Sequence, residues 1–192
     1  MIRTSLVATA VILSACSSGN GGKSTTQSPD LRSTEQLTRI ETGGANVIEI
    51  DWEHQHTYEE TQLLVGVDKA WSEYPTVFGE LGIDPNVIDS RQHVFGNAGL
   101  KVRGTLGRQR MSRYLDCGAT AGIPNADQYD IIVRVVSQVI PADAGLSSIR
   151  TQVEANGRAS GESSTSARCV STGALEARIA HMMSELANKP AS

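Results

Sequence analysis

The chain has 192 residues, a formal net charge of −4 and a sequence pI near 5.6, with 39% hydrophobic and 4% aromatic residues. That length supports one domain with a real core, not comfortably two. The mild acidity excludes a global attraction for nucleic acid or for anionic lipid.

Residues 1–15 come first. Arg3 gives a positive head, Leu6 to Leu13 is an apolar run broken only by Thr9, and small residues follow. A charged start, a short apolar core and small residues before a cut site describe a secretory signal peptide. The run is too short to span a ~30 Å hydrocarbon core. The ending Leu13-Ser14-Ala15-Cys16 resembles the lipobox of bacterial lipoproteins. The resemblance implies that Cys16 is acylated on its sulfur, becomes the new N-terminus and is then acylated on its amine. Two or more acyl chains hold a membrane stably where one would be marginal. Ser17 after the cysteine is not the inner-membrane retention residue of enteric bacteria, and resemblance to that rule implies the periplasmic face of the outer membrane where the host has one. The alternatives are an ordinary signal peptide or an apolar first helix.

Residues 16–46 begin with a Ser-, Gly- and Thr-rich stretch poor in large apolar side chains. Such a composition cannot repay chain ordering. It predicts a flexible tether reaching ~30 Å, with Leu31, Leu37 and Ile40 as its stickiest points. Order is expected from Val47, so the globular domain covers 47–192.

Val47 to Trp52 reads as a strand after Gly43-Gly44, and a weaker one spans Thr57 to Val65. Val67, Ala70, Trp71, Tyr74, Phe78 and Leu81 recur at spacings of three and four, an amphipathic helix with Asp68 in its first turn and Gly82 at its end. Pro75 should kink or divide that helix. Val87 to Phe95 and Leu100 to Leu106 read as a hairpin turning at Gly96-Asn97-Ala98-Gly99. Gly107 to Gln128 is loop-like. Two long strands then alternate clearly. In the first, Tyr129, Ile131, Val133, Val135 and Val139 form the core face. In the second, Ile149, Thr151, Val153 and Ala155 do so, while Arg150, Gln152, Glu154 and Asn156 face water. Pro141 to Gly145 is the turn between them. Gly157 to Ser166 is a polar loop, and a short strand at Arg168 to Val170 leads to Ser171 or Thr172 as helix cap. The last helix runs to about Ala187 with Leu175, Ile179, Met182 and Leu186 on its buried face.

With Cys16 acylated, Cys117 and Cys169 remain. Two cysteines in an exported chain most simply form one disulfide. A redox pair would prefer a C-x-x-C spacing, which is absent.

The elements predict an α+β fold, a mostly antiparallel sheet with two amphipathic helices on one face. Their order resembles helix-grip domains and, among envelope lipoproteins, the domains of BamC (NlpB)-type assembly accessories. Arg113-Tyr114-Leu115-Asp116-Cys117-Gly118 and the segment from Cys169 to Glu176 are also similar to segments of uncharacterised bacterial lipoproteins. No catalytic residue carries over from either comparison.

His54 and His56, flanked by Asp51, Glu53, Glu59 and Glu60, are the best metal candidates, since H-x-H puts both rings on one side of a strand. No second cluster completes a ligand set, so no metal and no cofactor is expected. G-x-S-x-G and S-x-x-K are both absent, and no cysteine is free once the disulfide forms. The expectation is a non-enzymatic scaffold or assembly accessory with an envelope protein partner and no nucleic acid. The sequence carries no sign of oligomeric state. The one charge asymmetry is the basic set Lys101, Arg103, Arg108, Arg110 and Arg113, of which Arg108, Arg110 and Arg113 form the expected partner-binding face. The alternative is a binding protein holding a small hydrophobic ligand or lipid between the sheet and the C-terminal helix.

Overall fold

The computed structural model describes residues 37–42, 46–51, 60–159 and 166–188. The expected signal peptide, Cys16, the first part of the expected tether and the His54/His56 pair lie outside the described residues. Strand β1 (Leu37–Thr42) pairs antiparallel with β2 (Asn46–Asp51), Leu37 opposite Asp51 and Thr42 opposite Asn46. The expected tether therefore contains a strand, and order precedes Val47. The reason is local: Thr38, Ile40 and Thr42 are β-branched at every second position. Gly43 and Gly44, which follow in sequence, are common hairpin residues. The Ser/Gly-rich start of the tether masked this pattern.

Strand β3 (Thr61–Leu63) is shorter than expected, and the helix α1 (Val67–Leu81) follows. Its apolar stripe buries Ala70, Tyr74, Val77, Phe78 and Leu81. Gly82, at φ 70°, ends it in a Schellman motif, with Gly82 N–H on Gly79 O and Ile83 N–H on Phe78 O. Pro75 does not divide the helix. It removes one ladder donor, but Tyr74 and Phe78 on either side are both fully buried, so core packing holds both halves.

Strands β4 (Val87–Asp89) and β5 (Val94–Arg103) do form a hairpin, but its turn is at Ser90 to His93. Asp89 Oδ1 makes that turn by accepting from the N–H groups of Arg91 (2.8 Å) and Gln92 (3.1 Å), and His93 closes it at φ 51°. The expected turn at Gly96 to Gly99 instead lies inside β5. There the register against β11 (Asp130–Pro141) shifts between Val133 and Val135, a β-bulge. Asn97 braces the bulge, donating from Nδ2 to Asp84 O at 2.6 Å and accepting from Gly99 N–H at 2.7 Å.

The short strands β6 (Thr105–Leu106) and β7 (Gln109–Arg110) pair with each other, as do β9 (Ala119–Thr120) and β10 (Ile123–Pro124). Between these two pairs lies β8 (Leu115–Asp116). The long hairpin is β11 with β12 (Ser147–Arg158), in register from Asp130 opposite Arg158 to Pro141 opposite Ser147. Strand β13 (Ala167–Ser171) and helix α2 (Ala174–Ala187) complete the chain. The sheet order is β4-β5-β11-β12-β13-β8, with β3 also on β12, and every pairing is antiparallel. A disulfide joins Cys117, just beyond β8, to Cys169 on β13.

Both helices pack into one core on one face of this sheet. Tyr74 and Phe95 stack there with ring centroids 5.4 Å apart, and Phe78 meets Phe95 edge-on at 5.1 Å. Burial pushes the Tyr74 phenol well above its ordinary pKa, despite the Ser137 hydroxyl beside it. On α2 the fully buried methionine is Met183, with Met182 and Leu186 only partly buried. The helix starts after Gly173 (φ 80°), so neither Ser171 nor Thr172 is its cap residue.

The opposite face of the sheet is not uniformly wet. Val87, Val94 and Val136 cluster there with Ile50 of β2, and Arg150 and Gln152 are buried although expected in water. Arg150 is tolerated there because it is hydrogen-bonded. Arg150 donates from Nε (3.0 Å) and Nη2 (2.7 Å) to Gln138 Oε1, and Gln138 donates to Gln92 O.

Candidate functional site

The chain leaves β5 through a tight reversal that displays arginines. Gly107 (φ 53°) and Arg108 (φ 65°) are the two loop residues between Leu106 and its partner Gln109. Positive φ at both loop positions is the geometry of a type I′ hairpin turn. Arg108 is thus held at the tip, exposed, in a conformation uncommon for a side chain bearing a Cβ. Leu106, Met111 and Tyr114 are buried around it and anchor the loop to the core. Gly107 sits against the end of α1, where a Cβ would lie 3.1 Å from Leu81 Cδ2.

Arg110 is exposed, with Nη1 3.9 Å from Asp127 Oδ2. Asp127 is itself fixed by the Ser112 N–H (2.8 Å) and hydroxyl (2.9 Å). Arg113 is exposed too, and its carbonyl accepts from Thr172 Oγ1 at 2.7 Å. All three expected partner-binding arginines are therefore exposed, Arg108 and Arg110 on the β6–β7 reversal and Arg113 on the 3-10 turn that follows it.

Arg178 on α2 clamps this reversal. Its Nη1 donates to Gly107 O at 3.1 Å and also to the Tyr114 hydroxyl. Arg113, Arg178 and His181 line an open cavity of about 400 Å³, together with Gln109, Ala174 and Ala177. Sequence reasoning missed Arg178 and His181, because α2 brings them to the loop from far along the chain. The available signal was their i, i+3 spacing on a flank otherwise made of Ala174 and Ala177. Lys101 and Arg103 do not join this surface. They lie on the outer face of the sheet, Arg103 beside Asp130 (3.6 Å), so the basic set of five divides in two.

The remaining polar groups are structural in placement. His93 packs edge-on to Trp71, with ring centroids 5.7 Å apart, and its Nε2 lies 3.9 Å from Asp68. No group of three or more His, Cys, Asp or Glu gathers at metal-binding distance among the described residues. Leu175, Ile179 and Met183 of α2 are buried in the same core as Val133 and Val153 of the sheet, so α2 packs closely on the strands. Among the described residues no helix is long and apolar enough to cross a membrane. What the Arg108 to Arg113 surface can supply is three exposed guanidiniums on an anchored backbone, suited to carboxylates.

No family model, curated protein or solved structure matches this chain.

Proposed function

We propose that this is a lipid-anchored envelope lipoprotein without catalytic activity. It acts as a scaffold or assembly accessory at the periplasmic face of the outer membrane. The observation that carries the reading is the clamped arginine reversal. Arg108, Arg110 and Arg113 stand out on a loop tied to α2 by Arg178, on a chain that is acidic as a whole. An anchored backbone lowers the ordering cost of binding, and charge complementarity selects an acidic protein surface as partner. The signal-peptide-like start and the Leu13-Ser14-Ala15-Cys16 sequence support the anchored address.

The test combines two variants in the native host. Cys16→Ala should move the protein from the membrane to the soluble fraction. Arg108→Glu, Arg110→Glu and Arg113→Glu together should abolish recovery of a cross-linked partner while leaving membrane attachment and melting temperature unchanged. Unchanged partner recovery by the triple variant overturns the proposed face, and retention of the Cys16→Ala protein in the membrane overturns the anchor.

A further inference from the structure

On the face of the sheet turned away from the helices, beyond Val136, strand register sets down two rows of side chains. Arg103, Asp130 and Arg158 are opposite one another across β5, β11 and β12, and Lys101, Ile132 and Asn156 form the next row. Val102, Ile131 and Gly157 fall between these rows in sequence and turn inward, so alternation sends all six outward. The two rows shape a cavity of about 540 Å³, bordered also by Ser166.

Its character is mixed in a specific way. Ile132 leaves 51% of its surface exposed in the floor. Among the described residues that line the cavity, three cations, Lys101, Arg103 and Arg158, stand against one carboxylate, Asp130, which Arg103 approaches at 3.6 Å. No ion pair to Lys101 or Arg158 is present among the described residues. An excess of about two positive charges beside an exposed isoleucine, on an acidic chain, is a local reversal of charge that folding has assembled from three strands. The volume lies in the range of small-ligand sites rather than of flat protein interfaces.

We propose that this cavity binds a single-chain amphiphile with a phosphomonoester head. A phosphomonoester carries about −1.5 to −2 charges at neutral pH, matching the cation excess. The two arginines offer forked donors suited to phosphate oxygens, and Lys101 adds a point charge. The Asn156 amide donates to the head, and the first methylenes of the alkyl chain lie along Ile132. The site shares no residue with the Arg108–Arg113 surface, so it adds a ligand to the scaffold reading without resting on it.

Isothermal titration of the oxidised full chain carrying Cys16→Ala, with dodecyl phosphate below its micelle concentration, tests the proposal. Saturable one-to-one binding is expected, with inorganic phosphate and uncharged dodecyl maltoside each at least tenfold weaker. Arg103→Gln with Arg158→Gln should weaken dodecyl phosphate at least tenfold. Ile132→Ser should weaken dodecyl phosphate several-fold and leave inorganic phosphate unchanged. All three positions are exposed, so circular dichroism melting should match the parent. Charge reversal at Arg108, Arg110 and Arg113 should leave the titration unchanged, which separates this site from the partner face. Absence of saturable binding overturns the proposal. So does equal affinity in the Arg103/Arg158 variant, and so does dodecyl maltoside or dodecanoate binding as tightly as dodecyl phosphate.

Discussion

The Ser171 hydroxyl donates a 2.6 Å hydrogen bond to Glu176 Oε1 across the start of α2, while Glu176 Oε2 is buried with no partner among the described residues. Ser171 Oγ also accepts from Gly173 N–H at 3.1 Å, so one hydroxyl serves the strand end and the helix start together. Burial pushes the Glu176 carboxyl above its usual range, and the Ser171 hydrogen bond and a backbone N–H only partly pull it back.

This placement sets a direction for pH dependence. A carboxyl raised in the folded state holds its proton longer there than in the unfolded chain. Between the unfolded and folded pKa values the native state binds more protons, so stability falls as pH rises. The loss begins near the unfolded value of ~4.3 and is complete above the folded one. Glu176→Gln keeps the shape and removes the charge. Its melting temperature should exceed the parent's at pH 7 to 8 and converge with it near pH 4. Thermal melts across that range check this, and a gap that stays constant with pH would assign the effect to packing instead.

Gly96 of β5 has no room for a side chain against β11. A Cβ built on Gly96 would lie 2.2 Å from Val135 O and 2.8 Å from Val136 Cα. Both are backbone atoms in the central strand pair, so neither can yield by a rotamer change. Gly96→Ala should destabilise the fold by about 3 kcal/mol, at the upper end of ordinary overpacking. Gly99→Ala, whose added carbon would meet only Ile132 Cγ2 at 4.0 Å, is the matched control and should cost much less. Urea unfolding of the pair tests the difference, and equal midpoints would show that β5 shifts away without loss.

The same glycine explains why part of the fold was legible in the sequence and part was not. Helix α1 and the β11–β12 hairpin were readable because Tyr74 and Phe78, or Val133 and Val135, repeat at the period of their own element. Gly96-Asn97-Ala98-Gly99 has the composition of a turn, yet its glycine serves close strand approach and its asparagine braces a bulge. The true turn is glycine-free and made by the Asp89 side chain. The outer face was misread for a related reason. Arg150 and Gln138 look like solvent residues by polarity, and hydrogen bonds from Arg150 to Gln138 and from Gln138 to Gln92 accompany their burial. At the candidate surface, Arg108, Arg110 and Arg113 were legible because they cluster along the chain. Arg178 and His181 were not, since the docking of α2 brings them there. Arg158 meets Asp130 only through strand register, which a linear reading does not contain.

The Cys117–Cys169 disulfide spans a sequence separation of 52 and encloses both central strands, β11 and β12. Its contribution comes largely from restricting the unfolded chain, about 4 kcal/mol for a loop of that length, with a measured range commonly 2–4 kcal/mol. The bond also holds β8 against β13, where only Val170 opposite Asp116 and Ser171 opposite Leu115 are in register. Replacing both cysteines by alanine should therefore lower the urea midpoint by about 1–2 M at a mid-range slope of about 2 kcal/mol/M. Reduction of the unaltered protein should reproduce most of that shift, because Cys117 and Cys169 are the only cysteines besides Cys16. Hydrogen exchange separates the two contributions. A purely unfolded-state effect lowers protection uniformly across the strands, whereas loss of native contacts lowers it first at Leu115, Asp116, Val170 and Ser171. A double variant with an unchanged midpoint would mean that the β8–β13 pairing and the docking of α2 hold this end of the sheet unaided.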